Sequence, residues 1–475
     1  MAGEALLLDL PGLGPGFRAD PASFLPAAPR LSSGRGRPSL LLVLCSPRDD
    51  DDDAAASAVT AAFKDSAAAE PPGLAPPCYV LRDDSVARLF YRAKGRVDEL
   101  ALARVTVVTG GHRAALLGAY AAEMFTPVYD VEVAATGPGV PSVLSPAELA
   151  AVRADVEACF RGLPAIMGPV RVLRSPLIPE ERFLHGFSTR QGGVSHLPGM
   201  SSLNLSRSVR RRDPPGATVE NKRRLAQAAG FALDSLRTPK ARRHARPTHG
   251  PHTPHTDPTH RPHTQTPHGP HTHTGYDVAV SHQVCHSTAV WVLGPEEPAE
   301  YDGLLTARPG VTLGAPGADC IPLLLADPVR GACGAVHSGW RGTVGDIGGV
   351  AVRAMVAELG CSARDLRVVL GPSIGPCCFQ VGPEVAARFS AIDATCLRHL
   401  ADGTTNGDLR RATRILLERS GVLPEHIDDG TAPGQRDADT GVVTLCTSCH
   451  PELFFSYRRD GSEFGTMLGF IALRE

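Results

Sequence analysis

Apolar residues in this chain gather into short unbroken runs bounded by glycine and proline, with helix-period stretches between them, and that alternation predicts a layered α/β architecture. Leu40 to Cys45, Cys78 to Leu81 and Ala103 to Thr109 read as strands, and Ala54 to Phe63, Val86 to Lys94 and Ala114 to Met124 as the helices between them. The fold class expected is α/β: an α+β mixed-sheet catalytic domain over residues 171–475, with an additional N-terminal α/β domain over residues 39–170. Residues 1–38, rich in Pro, Gly and Ala with little periodicity, read as a loose lead-in.

In the second region Val311 to Gly314, Ile321 to Ala326, Gly334 to Val336 and Leu366 to Leu370 read as buried strands. Gly345 to Leu359 and Leu409 to Ser420 have helical spacing. Residues 242–274 break this pattern with Pro-His-Thr repeats that hold nine of the eighteen histidines and almost nothing to bury, so they read as a disordered insert. Loose binding of metal by those histidines is the competing reading.

Composition narrows the partners. The chain has 475 residues, 43% of them hydrophobic, and 48 basic against 50 acidic residues for a net charge of -2. It therefore lacks the cationic field that draws a protein onto nucleic acid, and the expected partner is a small molecule. No apolar run approaches the roughly 20 residues of a membrane span, and the acidic start does not resemble a secretory leader, so a cytoplasmic, intracellular location is expected. The twelve cysteines are scattered, which favours reduced thiols over a disulfide framework.

Two neighbouring passages concentrate the chemistry. Ala318-Asp319-Cys320-Ile321-Pro322 sets a cysteine at the entry of one buried strand, and Val336-His337-Ser338-Gly339-Trp340-Arg341-Gly342 sets a histidine at the exit of the next. A Cys and a His presented together bind a metal or run nucleophilic chemistry. Taken singly, each also fits a buried core residue.

Several passages resemble, in order, the multicopper polyphenol oxidase (laccase-like) domain family of purine nucleoside phosphorylases. They are His185 to Ser195, Ser202-Leu203-Asn204-Leu205, Glu220 to Leu225, Gly317 to Cys320, His337 to Gly342, Gly371 to Phe379 and Phe454 to Gly461. The additional N-terminal domain resembles the longer vertebrate members. The resemblance implies a catalytic zinc held by Cys320, His337 and a third histidine, His286, which precedes Ala289-Val290-Trp291-Val292; His282 is the competing choice. It implies phosphorolysis of adenosine, inosine, guanosine and methylthioadenosine, deamination of adenosine, and a place in the purine metabolism of immune cells. Two imidazoles and a thiolate leave a vacant fourth position, as catalytic zinc requires. Arg341 is the candidate phosphate site and Arg190 a second, because a guanidinium fork suits phosphate. Arg341 alternatively pairs with Asp319 or Asp346. Asn204 contacts ribose or base, or caps a loop.

The rivals are a copper-dependent phenol oxidase, which the family name suggests, a metal-free hydrolase with Cys320 as nucleophile and His337 as base, and a non-enzymatic protein whose N-terminal domain docks a metabolic-enzyme partner. Other motifs have plainer readings. Gly110-Gly111 is a tight turn or a phosphate cradle, and the acidic run Asp49 to Asp53 a solvated loop beside a helix start. Cys377 and Cys378 read as a structural lining, with a redox role as the competing reading. Cys446-Thr447-Ser448-Cys449-His450 matches a haem-attachment pattern and half of a zinc knuckle, with no second cysteine pair nearby in the sequence.

Overall fold

A computed structural model of the chain describes residues 3–13, 39–46, 50–67, 76–136, 143–208, 211–239, 287–430 and 446–475. The 242–274 insert, His282 and His286 lie outside the described residues.

The first sheet is parallel throughout: β1 (Glu4–Asp9), β2 (Leu40–Cys45), β3 (Cys78–Arg82), β4 (Arg104–Gly110) and β5 (Asp130–Thr136), in the order β3-β2-β1-β4-β5. Helix α1 (Asp50–Ala67) covers one face, where Leu6, Leu8, Leu41 and Val43 meet Ala55, Val59 and Phe63. Helices α2 (Val86–Glu99), α3 (Ala114–Met124) and α4 (Pro146–Arg161) cover the other, where Leu7, Leu42 and Val107 meet Phe90, Leu117 and Val156. Burial on both faces explains why these strands are apolar runs and not alternating ones.

β1 corrects the reading of residues 1–38 as a loose lead-in. Glu4 to Asp9 is the middle strand, wholly buried. Its two carboxylates disguise it, and both are satisfied from β4 and the turn that follows. Thr106 Oγ1 donates to Glu4 Oε1 at 2.6 Å, and Thr109 Oγ1 and Arg113 Nε donate to Asp9 Oδ2 at 2.6 and 2.9 Å. From Asp50 on the acidic run is helix and not loop: α1 begins there, Asp52 is buried and accepts from the Ser46 amide at 3.1 Å, and Asp53 pairs with Arg82. Acids suit the positive end of a helix. Gly110 meets the chain at Gly12, whose carbonyl oxygen lies 2.0 Å from where a Cβ would stand, so the position is a close backbone approach.

Beyond residue 170 the strands are β6 (Val172–Leu173), β7 (Phe183–Ser188), β8 (Leu236–Arg237), β9 (Val290–Val292), β10 (Gly303–Thr306) and β11 (Thr312–Gly317). They continue as β12 (Ile321–Asp327), β13 (Ala332–Ser338), β14 (Arg367–Leu370), β15 (Leu397–His399), β16 (Thr405–Gly407), β17 (Ile427–Asp428) and β18 (Met467–Leu473). Two large sheets result, in the orders β17-β14-β12-β13-β10-β9 and β6-β7-β18-β11-β8, and β15 pairs with β16 in a separate two-stranded one. The period of two sorts their side chains. Leu324, Ala326, Ala335 and Val369 face Phe187, Leu313 and Ile471 of the second sheet. Leu323, Leu325, Val336 and Leu370 face Ile347, Val352 and Met355 of the following helix, Ile347–Leu359, and Leu409, Ala412 and Ile415 of the helix Leu409–Arg419. Pro322 is tolerated because pairing of β12 with β14 begins only at Leu323.

The two regions share packing and charge. Val194 and Ala217 belong to the same apolar cluster as Val156 and Phe160. Asp98, at the end of α2, takes a hydrogen bond from Lys94 Nζ at 2.6 Å and another from the Tyr129 hydroxyl, and it lies 3.3 Å from His196 Nε2 and 3.7 Å from Arg212 Nη1.

Candidate active site

Cys320 and His337 meet because β12 and β13 are antiparallel neighbours. The register pairs Ile321 with Ser338 and Pro322 with His337, so the residue just before β12 and the penultimate residue of β13 arrive at one end of the sheet. The His337 ring is buried with the Cys320 sulfur inside hydrogen-bonding reach, and Cys320 itself is half-exposed. Asp319, immediately before it, takes a positive φ of 89°. Three contacts fix that backbone: Asp319 O accepts from the Ile374 amide at 2.9 Å, and its carboxylate accepts from Thr447 Oγ1 and the Arg458 amide, both at 2.6 Å.

A third group completes the arrangement, and sequence reasoning missed it. Asp302 is fully buried just ahead of β10, its carbonyl accepts from the His337 amide at 2.8 Å, and its Oδ2 lies 3.8 Å from His337 Nδ1. The same Oδ2 accepts from the Ser287 amide at 2.9 Å. The only signal in the sequence was an aspartate abutting an apolar strand, too common to single out. Burial alone pulls the His337 pKa down, but the Cys320 sulfur and the Asp302 carboxylate outweigh it and raise it to about 9. The arrangement is a thiol and an imidazole converging on one point, with a carboxylate behind the ring, as metal-ligating histidines usually have.

Asp302→Asn keeps an acceptor for the Ser287 amide but removes the charge behind His337. It is expected to lower activity about 10- to 100-fold, read as kcat/KM beside an unchanged unfolding midpoint.

The remaining sequence candidates divide. Arg341 is exposed, stacks on Trp340 with its guanidinium carbon 4.2 Å from the ring centroid, and makes no ion pair with Asp319 or Asp346 among the described residues; Asp346 instead pairs with Arg353. Arg190 is turned to carbonyls of its own chain. It is buried, and its fork donates to the carbonyls of Ser201, Pro198 and Pro451 at 2.5, 3.0 and 2.7 Å while it packs over Phe455. Asn204 takes the loop-capping role. Its side chain donates to Ser206 O and Asp213 Oδ2 and accepts from the Ser206 and Thr466 amides, which uses its whole capacity and corrects the substrate contact expected for it.

Comparison with known proteins places the chain in a family. Residues 270–474 match the family described as multi-copper polyphenol oxidoreductase laccase. "Purine nucleoside phosphorylase LACC1" of Mus musculus is 42% identical over 82% of this chain and 81% of its own length, and the Homo sapiens protein of that name is 39% identical over the same shares. "Purine nucleoside phosphorylase" of Deinococcus radiodurans is 35% identical over 61% of this chain and 88% of its own. The crystal structure of YlmD from Geobacillus stearothermophilus aligns with a TM-score of 0.47 at 27% identity, covering 63% of this chain and 94% of that one. The family match and the relatives define a laccase-like domain protein, and the chain carries an additional N-terminal α/β unit before that domain. The chain belongs to the laccase-like family of purine nucleoside phosphorylases.

Proposed function

We propose that this chain is a zinc-dependent purine nucleoside phosphorylase that cleaves adenosine, inosine, guanosine and methylthioadenosine, and that it also deaminates adenosine. The observation that carries the reading is the convergence of Cys320 and His337 at the end of β12 and β13, with Asp302 behind the imidazole. The names of the relatives support the reaction class: several are called purine nucleoside phosphorylase, and one, "Adenosine deaminase RL5", is 33% identical over 34% of this chain.

The residues fit zinc. A thiol and an imidazole are its preferred donors, and a carboxylate stands behind the imidazole. Cys320, His337 and His286 would hold the ion, which when bound supplies Lewis acidity to a substrate oxygen or nitrogen, or to a water. The chain's own work is positional. Asp302 orients the His337 ring, and Asp319 fixes the backbone that presents Cys320. Arg341, exposed three residues beyond the end of β13, is the group proposed to take phosphate, with Trp340 bracing it.

The immune-cell setting, the cytoplasmic location and a docking role for the N-terminal α/β unit belong to the same proposal. No helix among the described residues is long and apolar enough to cross a membrane.

The test incubates the metal-analysed full chain with inosine and with adenosine, with and without phosphate. Phosphate-dependent release of hypoxanthine and ribose 1-phosphate from inosine is expected, together with inosine from adenosine when phosphate is omitted. Oxidation of a phenol by copper-loaded protein, with no ribose 1-phosphate formed, would overturn the reading.

A further inference from the structure

Two cysteine pairs distant in sequence come together. The Sγ atoms of Cys377, Cys378, Cys446 and Cys449 all lie within 4.8 Å of one another. Cys377 and Cys378 are each close to Cys449, at 3.6 and 3.3 Å, and all four are thiols. Tetrahedral zinc with Zn–S near 2.3 Å holds its sulfurs about 3.8 Å apart, so these separations already approach those of a tetrathiolate and are far from the roughly 2.05 Å of a disulfide. The structure therefore corrects the reading of Cys446 and Cys449 as a half-knuckle without a second pair.

The surroundings suit a thiolate at Cys446. The Gly375 amide donates to Cys446 Sγ at 3.2 Å, and the amides of Ser448 and Cys449 also point at that sulfur, so the Cys-Thr-Ser-Cys turn wraps its own first cysteine. The Arg410 cation donates to Ser373 Oγ and O at 2.9 and 3.0 Å and sits where its charge acts on Cys446 and Cys377. A tetrathiolate zinc carries two negative charges, and a neighbouring guanidinium offsets part of them. Cys377 and Cys449 are exposed while Cys446 is buried, which gives an ion a path in and a closed seat.

We propose that Cys377, Cys378, Cys446 and Cys449 bind a structural zinc ion, separate from the site at Cys320 and His337. The ion clasps the loop after β14 to the C-terminal segment. Ile374 of the first and Thr447 and Arg458 around the second all hold Asp319, so the clasp fixes the backbone that presents Cys320. Arg458 reinforces it by donating to the carbonyls of Cys378 and Gln380 at 3.1 and 3.0 Å, and Arg459 by donating to those of Thr447 and Phe454 at 2.9 and 2.8 Å. With four protein sulfurs the coordination is closed, which is the mark of a structural and not a catalytic zinc.

The test uses the full chain carrying C320A and H337A together, so that the count does not depend on the catalytic proposal. Zinc analysis of this chain is expected to give one equivalent, falling at least tenfold on adding Cys449→Ser or Cys377→Ser, both at exposed positions. Replacing zinc by cobalt in the chain with its four cysteines intact is expected to give an intense sulfur-to-metal charge-transfer band with the visible bands of a tetrahedral site. That spectrum separates the clasp from ions held on the histidine-rich insert, which has no thiolate to offer. A C320A/H337A chain that gives no cobalt–thiolate band under reducing conditions, with all four thiols open to alkylation, overturns the proposal. Recovery of the four as two disulfides after anaerobic, reducing purification overturns it equally.

Discussion

Cys320→Ala is expected to lower phosphate-dependent nucleoside cleavage by about a thousandfold or more, because loss of an electrostatic anchor worth several kcal/mol in the transition state translates into that factor. The sulfur acts on the buried His337 ring both through its charge and as a hydrogen-bond partner. The variant is well placed to fold, since Cys320 is half-exposed and its backbone is held through Asp319 and not through its own side chain. Ribose 1-phosphate formation is the measurement, with circular dichroism and the unfolding midpoint as controls. A variant within tenfold of the parent would remove Cys320 from the chemistry.

The second large effect concerns stability. Asp98→Ala leaves Lys94, whose side chain is 0% exposed, and the Tyr129 hydroxyl without their shared carboxylate. Breaking a buried pair from one side costs about 3–5 kcal/mol, so a fall in the unfolding midpoint on the order of 10 °C is expected by calorimetry or fluorescence. The pH dependence has a defined sign. In the parent, burial raises the Asp98 pKa, but His196 beside it and the paired, hydrogen-bonding Lys94 outweigh it and hold the carboxyl below its usual range. That contribution is present above the ordinary carboxylate pKa and is lost as pH falls through the lowered one. In the variant, burial holds Lys94 below its usual value with less to oppose it. The unfolded chain then binds the extra proton, and stability should climb as pH rises toward the ordinary lysine range. A variant as stable as its parent at neutral pH would mean that Lys94 finds another partner.

Elements whose neighbours lie close along the chain were legible in the sequence. The strand expected at Leu40 to Cys45 and the helix at Ala114 to Met124 have the observed bounds, and β12 and β13 fall within a residue or two of theirs. These are segments whose burial is written in consecutive apolar residues. β1 escaped because its acids are satisfied by Thr106, Thr109 and Arg113, about a hundred positions away along the chain. Cys320 and His337 were legible because one hairpin aligns them. Asp302 was not, since only the pairing of β10 with β13 carries it to the imidazole. Arg190 and Asn204 show a different limit: residue type advertises hydrogen-bonding capacity, while only the folded chain shows where it is spent. The four-cysteine cluster was visible as two fragments, and folding supplied their adjacency.

The central place of β1 bears on any effort to shorten the protein. Trimming the first thirteen residues would excise the spine of a five-stranded sheet, not a dispensable overhang, and would part β2 from β4. Each would then expose a full row of backbone donors and acceptors along an apolar rim, the kind of surface through which chains stack onto one another. Precipitation of such a truncated chain would report on that vacated slot in the sheet while saying nothing of the nucleoside site.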